Sequence, residues 1–206
     1  MRLTVFGANG KVGSLVVKAA LSRGHEVVAF VHSSAPAAAD RLTILRGDIY
    51  NKADVDKAIS GSDVVISALS SWGTPKKDVL SAAMEHIIPA MEAARIQRIV
   101  SLTGNVALAP GDTPSAFMKM ARMGMRLAAA RIIDDGEQHI ALLATSTLNW
   151  SVVRSPVMTT MGSTDYKLTL EPSMAPTIHR QAVADSLLAL AEGESWSRQA
   201  PIICRS

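Results

Sequence analysis

Short apolar runs alternate with longer stretches of helical spacing along the first half of the chain. Residues 3–6 read as a strand that stops at Gly7. The stretch 12–23 then carries Val12, Leu15, Val16, Ala19 and Ala20 at helical intervals, and Gly24 closes it. The same reading predicts strands over 27–31, 42–45, 64–69 and 98–102, with helices over 54–59 and 79–94. These strands are apolar throughout rather than alternating, the pattern of strands covered on both faces. Strands joined by helical crossovers pair in parallel. The expected fold is α/β: a Rossmann-type doubly wound parallel sheet with helices on both faces.

The second half is less regular. A Pro/Gly loop over 107–114 precedes a helix over 115–130 that carries Phe117, Met118, Met120, Met123, Met125 and Leu127. Methionine is an adaptable filler, so these positions read as core and interface packing, or else as lining for a flat ligand. Helix continues over 137–145, a strand follows at 150–153, the stretch 155–174 is loop-rich, and a last helix covers 180–191. No repeat or linker divides the chain. The expectation is one domain over 1–206 with a small irregular C-terminal segment on the substrate side.

Composition narrows the class. Of 206 residues 48% are apolar and 19% charged, enough to fill a core and too little charge for a disordered chain. Lys plus Arg is 21 against 18 for Asp plus Glu, a net charge of +3 with no basic run, so a nucleic-acid partner is not expected. Cys204 is alone and the histidines are scattered, which leaves no disulfide and no structural zinc or other metal. No apolar run approaches about 18 residues and no signal peptide opens the chain. A cytoplasmic protein without a membrane segment is expected, a monomer or weak homodimer acting on a small molecule.

The most informative stretch is Gly7-Ala8-Asn9-Gly10-Lys11-Val12-Gly13, between the first strand and the first helix. Gly7 lets the chain turn off the strand, Gly10 lets a diphosphate approach bare backbone, and Gly13 lets the helix pack on the sheet. Helix N-terminal amides then meet the phosphates. In that context Gly7, Asn9, Gly10, Lys11, Val12 and Gly13 read as a dinucleotide cradle. An NAD site places a carboxylate after the second strand, about 20 residues past the loop. Val31-His32-Ser33-Ser34 stands there without one, and Glu26 lies at the strand's other end. His32, Ser33, Ser34 and Lys11 can donate to a 2′-phosphate, so NADP(H) is the expected cofactor and NAD the less favoured one. His32 alternatively reads as a solvated loop residue.

The glycine loop resembles that of the short-chain dehydrogenase/reductase superfamily on its atypical side, in the NAD(P)-binding group of NmrA-like and biliverdin reductase B (flavin reductase) proteins. The likeness extends to Leu45-Arg46-Gly47-Asp48-Ile49, to Asp63-Val64-Val65-Ile66-Ser67-Ala68-Leu69 and to Arg98-Ile99-Val100-Ser101-Leu102-Thr103-Gly104. It also covers Leu148-Asn149-Trp150-Ser151-Val152-Val153-Arg154-Ser155-Pro156 and His179-Arg180-Gln181-Ala182-Val183-Ala184. The resemblance implies that Asp48 and Ile49 flank the adenine and that Ala68, Leu69 and Ser70 line the ribose. It places Thr103, Pro156 and Val157 near the nicotinamide. Asp48 alternatively reads as a turn residue capping the next helix, and Arg154 as either a ligand contact or an ion-paired structural residue. Relatives often carry Arg at the place of His32, and flavin reductase relatives carry Ser at the place of Gly104.

Typical short-chain dehydrogenases use a Tyr four residues before a Lys as their proton relay. Tyr50 and Tyr166 are followed at that spacing by Asp54 and Leu170, so the relay is missing. Thr103 is the remaining candidate to orient a substrate oxygen, unless its hydroxyl bonds local backbone. Two readings follow. One is an NADPH-dependent reductase of flat electrophilic acceptors such as flavins or quinones, walled by Trp72, Asn105, Val106 and Met158. Trp72 reads equally as loop packing. The other is a non-catalytic NADP(H) sensor of NmrA-like type. A sugar-nucleotide epimerase or dehydratase shares the loop, but normally needs the Tyr/Lys pair and a larger C-terminal part.

Overall fold

A computed structural model describes residues 1–34, 36–114, 116–171 and 176–206. The predicted helix start at Ser115 and the loop end at Met174 lie outside the described residues, as does the side chain of Phe117. Strands β1 (Arg2–Phe6), β2 (Glu26–Val31), β3 (Leu42–Arg46), β4 (Val64–Ser67), β5 (Arg98–Gly104) and β6 (Asn149–Ser155) run parallel in the spatial order 3-2-1-4-5-6. Helix α1 (Gly13–Ser22) connects β1 to β2. Helices α2 (Lys52–Ile59), α3 (Val79–Ala93) and α4 (Ala116–Thr145) supply the later crossovers. The doubly wound parallel sheet expected from the apolar strands is the observed fold.

Beyond β6 lie β7 (Val157–Thr159), β8 (Lys167–Thr169), β9 (Thr177–His179), α5 (Arg180–Glu192) and β10 (Ile202–Cys204). β10 joins β6 in parallel and carries β8 antiparallel on its far side, while β7 and β9 form a separate parallel pair. None of these four strands is visible in the sequence pattern. Each is three residues long, too short to show a period, and each is held by a distant partner.

Two cores follow from the two covered faces. On one, α1 and α5 pack Val16, Val17, Leu187 and Leu188 against Leu3, Val5 and Val27. On the other, α2, α3 and α4 pack Val55, Met84, Ile87, Ile140 and Leu143 against Phe6, Val65 and Ile99. The methionines of α4 correct the packing expectation. Met120 and Met123 are 63% and 68% exposed and Leu127 is 90% exposed, so this half of the helix is surface. The cause is a break at Ala129, whose φ of −143° and ψ of 30° are not helical. Burial in the helix begins at Ala129 and Ile133.

A buried polar chain ties the second half of α4 to the sheet. Asp135 accepts the backbone amides of Leu80 (3.1 Å) and Ser81 (2.8 Å) and the hydroxyls of Ser81 (2.7 Å) and Ser71. One turn on, the His139 Nε2 meets the Ser101 hydroxyl of β5 at 2.8 Å, and its Nδ1 has no partner among the described residues. Burial pushes the His139 pKa down to about 4, against a smaller upward pull from Asp135.

The fold holds this imidazole neutral, whereas the unfolded chain takes up a proton below its ordinary value of 6.5. Stability contributed by His139 is therefore complete above pH 6.5 and is lost as the pH falls toward 4, by about 3 kcal/mol in all. Denaturant titrations across that interval should show the loss, and His139→Gln should flatten it.

Candidate functional site

The reversal of strand order between β1 and β4 opens a crevice at the carboxyl ends of the strands, where open α/β sheets bind ligands. Gly7 leaves β1 with φ +73°, and a Cβ there would stand 2.8 Å from the Ala68 carbonyl oxygen after β4. A Cβ on Gly13 would overlap the Gly7 carbonyl oxygen. Gly10 is different: its amide donates to the Gly7 carbonyl at 2.9 Å, and a Cβ would meet only that oxygen, at 3.1 Å. Gly7 and Gly13 are thus needed for the fold, while Gly10 keeps a bare stretch of backbone.

The starts of the helices sharpen this. Asn51 caps α2 through the Ala53 amide at 2.9 Å, and His179 caps α5 through the Gln181 amide at 3.1 Å. α3 receives its cap from Asp135 of α4. α1 starts at Val12 with no side-chain cap and no carboxylate in its first turn, and exposed Lys11 precedes it. An uncapped helix start carries partial positive charge from its unpaired amides. The bare backbone at Gly10 and this start together fit a diphosphate.

The other predicted residues gather at the same edge. Asn9 Nδ2 donates to the Ser34 hydroxyl at 2.7 Å, which clasps the glycine loop to the segment after β2. His32 and Ser33 are exposed there, and no carboxylate stands among them. Asp48 follows β3; its Oδ1 accepts the Tyr50 amide at 3.0 Å within the turn but does not cap α2, which Asn51 does, while Ile49 beside it packs on the second core. Tyr50 donates to Asp78 at 2.9 Å, and burial, then this hydrogen bond, raise its pKa. Ala68, Leu69 and Ser70 follow β4, and the Ser70 hydroxyl accepts the Trp72 amide at 3.1 Å.

Thr103 lies on β5 beside the crevice, buried, and its hydroxyl makes no hydrogen bond among the described residues. The local-backbone alternative for Thr103 is therefore not what is observed. Across from it, α4 presents Gly136, where a Cβ would come within 2.6 Å of the Thr103 hydroxyl oxygen. A side chain at position 136 therefore has no room above Thr103. Asn105 donates its amide to the Ser155 carbonyl at 2.9 Å, and Val106 follows it. Pro156 and Val157 sit past the end of β6, with Val157 70% exposed.

Three further predicted side chains have different surroundings. Arg154 is 2% exposed, and its guanidinium is taken up by the Ala200 carbonyl (2.7 Å), the Ala107 carbonyl (3.2 Å) and an ion pair with Asp112. Of its two readings the structure shows the ion-paired one. Trp72 is 58% exposed and belongs to neither core. Met158 pairs with Ile178 in the β7–β9 ladder and packs toward α1 and α5.

One cation was not singled out from sequence. Arg46 ends β3 directly opposite Val31, the last residue of β2, and is exposed. Leu42 and Ile44 pack on the α1 side, so strand alternation puts Arg46 on that side too, beside His32 and the glycine loop. It has no carboxylate partner among the described residues. The register of β2 on β3, which sequence spacing does not show, is what brings it there. Among the described residues no helix is long and apolar enough to cross a membrane, and no cluster of His, Cys, Asp and Glu is placed to hold a metal.

The Gly10→Ala and Gly13→Ala proteins should separate binding from folding. Gly10→Ala should fold with a cost of about 1 kcal/mol or less and bind dinucleotide roughly tenfold more weakly or worse. Gly13→Ala should lose about 3 kcal/mol or more, because backbone must move. Thermal melts paired with cofactor fluorescence titrations check both.

Comparison with known proteins agrees with this geometry. A 3-beta-hydroxysteroid dehydrogenase of Mycolicibacterium neoaurum is 42% identical over 124 residues, covering 54% of this chain and 34% of the relative. The chain spans about a third or less of the length of the first curated relatives it matches. A short-chain dehydrogenase/reductase of Veillonella parvula DSM 2008 in complex with NADP superposes with a TM-score of 0.79 at 18% identity, covering 98% of this chain and 93% of that one. ChuY, described as an anaerobillin reductase of Escherichia coli O157:H7, gives 0.80 at 18% identity over 100% of this chain and 97% of its own. The model of a family described as NAD(P)H-binding matches residues 7–194, and the chain belongs to that family.

Proposed function

We propose that the protein is an NADPH-dependent reductase that passes a hydride to a flat, electrophilic acceptor such as a flavin or quinone. The observation that carries this reading is Gly136 opposite the unpartnered hydroxyl of Thr103. A carbonyl or alcohol at this position would need a positioned acid or base, and position 136 of α4 leaves no room for one. A conjugated ring needs none: the dinucleotide supplies two electrons and a proton as hydride, and water supplies the second proton. Rate enhancement then comes from holding the acceptor against the cofactor, with Thr103 free to donate to an acceptor oxygen. The description of ChuY as a reductase is in keeping with this reading. Asn105, Val106, Met158 and exposed Trp72 are the proposed acceptor walls.

The preference for NADPH rests on charge. Lys11 of the glycine loop, His32 after β2 and Arg46 opposite Val31 are the cations proposed to favour a 2′-phosphate, and residues 32–34 carry no carboxylate. Asp48, Ile49, Ala68, Leu69, Ser70, Pro156 and Val157 are proposed to complete the cofactor contacts along the strand ends.

NADPH oxidation should be seen with FMN, riboflavin or a simple quinone. The rate should be flat across the neutral pH range, since no titrating group takes part. Thr103→Val should lower kcat/KM by roughly fivefold to tenfold, the worth of one neutral hydrogen bond of about 1 kcal/mol. Tight NADPH binding with no turnover on any of these acceptors would give the sensor reading instead. Arg46→Ala should weaken NADPH roughly tenfold and leave NADH unchanged, because only the phosphorylated ribose presents a charge to it. Tighter binding of NADH than NADPH by the unaltered protein would remove the preference.

A further inference from the structure

We propose that Trp72 stacks on the acceptor and restricts it to fused-ring compounds such as flavins, and that Ser71 and Asp135 position the indole for this. The inference rests on the reductase reading for the identity of the ring and narrows its class. Of the three tryptophans, Trp150 is buried in the second core and Trp196 packs against the first. Trp72 joins neither and is 58% exposed.

The chain before Trp72 fixes where it stands. β4 ends at Ser67, and residues 68–71 run from the glycine loop to α4. A Cβ on Gly7 would lie 2.8 Å from the Ala68 carbonyl oxygen and 3.1 Å from the Leu69 amide nitrogen, so this segment begins against the cofactor loop. It ends at Ser71, which is buried and donates its hydroxyl to Asp135. The next residue of α4 is Gly136, which lies against Thr103. Trp72 therefore follows directly on a residue anchored one helix position from the Thr103 contact, at the same end of the sheet as the glycine loop.

The turn that carries the indole is tied on both sides. The Trp72 amide donates to the Ser70 hydroxyl at 3.1 Å, Gly73 takes a φ of +74°, and the Thr74 hydroxyl donates to the Ser71 carbonyl at 3.0 Å. Trp72 and Gly73 form the tip. Farther on, the Lys76 ammonium sits 3.3 Å from the centre of the Tyr50 ring and holds the outgoing chain. A Cβ on Gly73 would meet nothing within 4 Å, so the tip itself stands in open space.

A large aromatic side chain on a fixed turn gives up little freedom when it takes a partner, and stacking buries the apolar face that water now covers. The electron-rich indole suits an electron-poor ring, which is what a hydride acceptor is. Ser71 and Asp135 stand between Trp72 and Thr103, so an acceptor in contact with both must extend beyond one ring. A one-ring quinone at Thr103 leaves the indole uncovered.

The probe is riboflavin, bound at equilibrium to the full chain saturated with NADP⁺, which cannot reduce it, and measured by dialysis. Trp72→Ala should bind riboflavin roughly tenfold more weakly and Trp72→Phe about threefold, with NADP⁺ affinity unchanged in both. Riboflavin should quench tryptophan emission in the unaltered protein and far less in Trp72→Phe. Ser71→Ala should weaken riboflavin about threefold at unchanged NADP⁺ affinity; a lower melting temperature with riboflavin affinity kept would remove the positioning role. In turnover, the ratio of kcat/KM for riboflavin to that for benzoquinone should fall roughly tenfold in Trp72→Ala. Equal riboflavin affinity in Trp72→Ala overturns the proposal, as does the absence of riboflavin binding. So does weaker NADP⁺ binding in that variant, which would put the indole on the cofactor. Riboflavin held through Trp72 but not reduced by NADPH removes the reductase reading and leaves the stacking site standing, so the two failures are distinct.

Discussion

α1 can start where it does only because two residues lack side chains. Gly13 rests against the Gly7 carbonyl, and Gly7 in turn rests against the backbone after β4. These contacts bring the end of β1, the start of α1 and the end of β4 within van der Waals reach. Any Cβ in the stack would drive α1 away from the sheet and close or distort the crevice beside it. Val16 and Val17 bury on the α1 and α5 face only if the helix enters at this height. The packing of one core and the shape of the crevice are therefore consequences of one close approach.

A helix start is costly to leave without acceptors, and the chain resolves that cost locally at α2 and α5 and across the fold at α3. Leaving α1 without a side-chain cap is a difference in kind. Its amides are adjacent to a backbone stretch with no Cβ, and basic rather than acidic side chains are nearby. Stability alone would favour an Asp or Ser at Val12.

How much of this was legible follows the range of the interactions. The glycine loop and the apolar strands are local signals, so the parallel sheet, the crevice and the loop residues could be read directly. The cap on α3 could not, because Asp135 lies 54 residues from Ser81 in the chain. The roles of Arg154 and Arg46 turn on partners set by the register of neighbouring strands and by a loop, and spacing along one strand carries no such information. The methionines of α4 show the opposite failure. Their helical apolar spacing is real, but a period says which side chains share a face and not whether anything covers it. The break at Ala129 decides that.

The same helix limits what can stand beside Thr103. Its second half is pulled onto the sheet at three successive levels: Asp135 on the start of α3, Gly136 on Thr103, and His139 on Ser101. A larger residue at Gly136 would push the helix off β5 and strain the other two contacts, one of which is buried and has a single hydrogen bond to lose. A Tyr or Lys at that turn could reach Thr103 only if α4 sat farther out, and then Asp135 could not reach the amides of Leu80 and Ser81. The packing that holds α3 and α4 together therefore fixes a residue without a side chain at position 136, directly over Thr103.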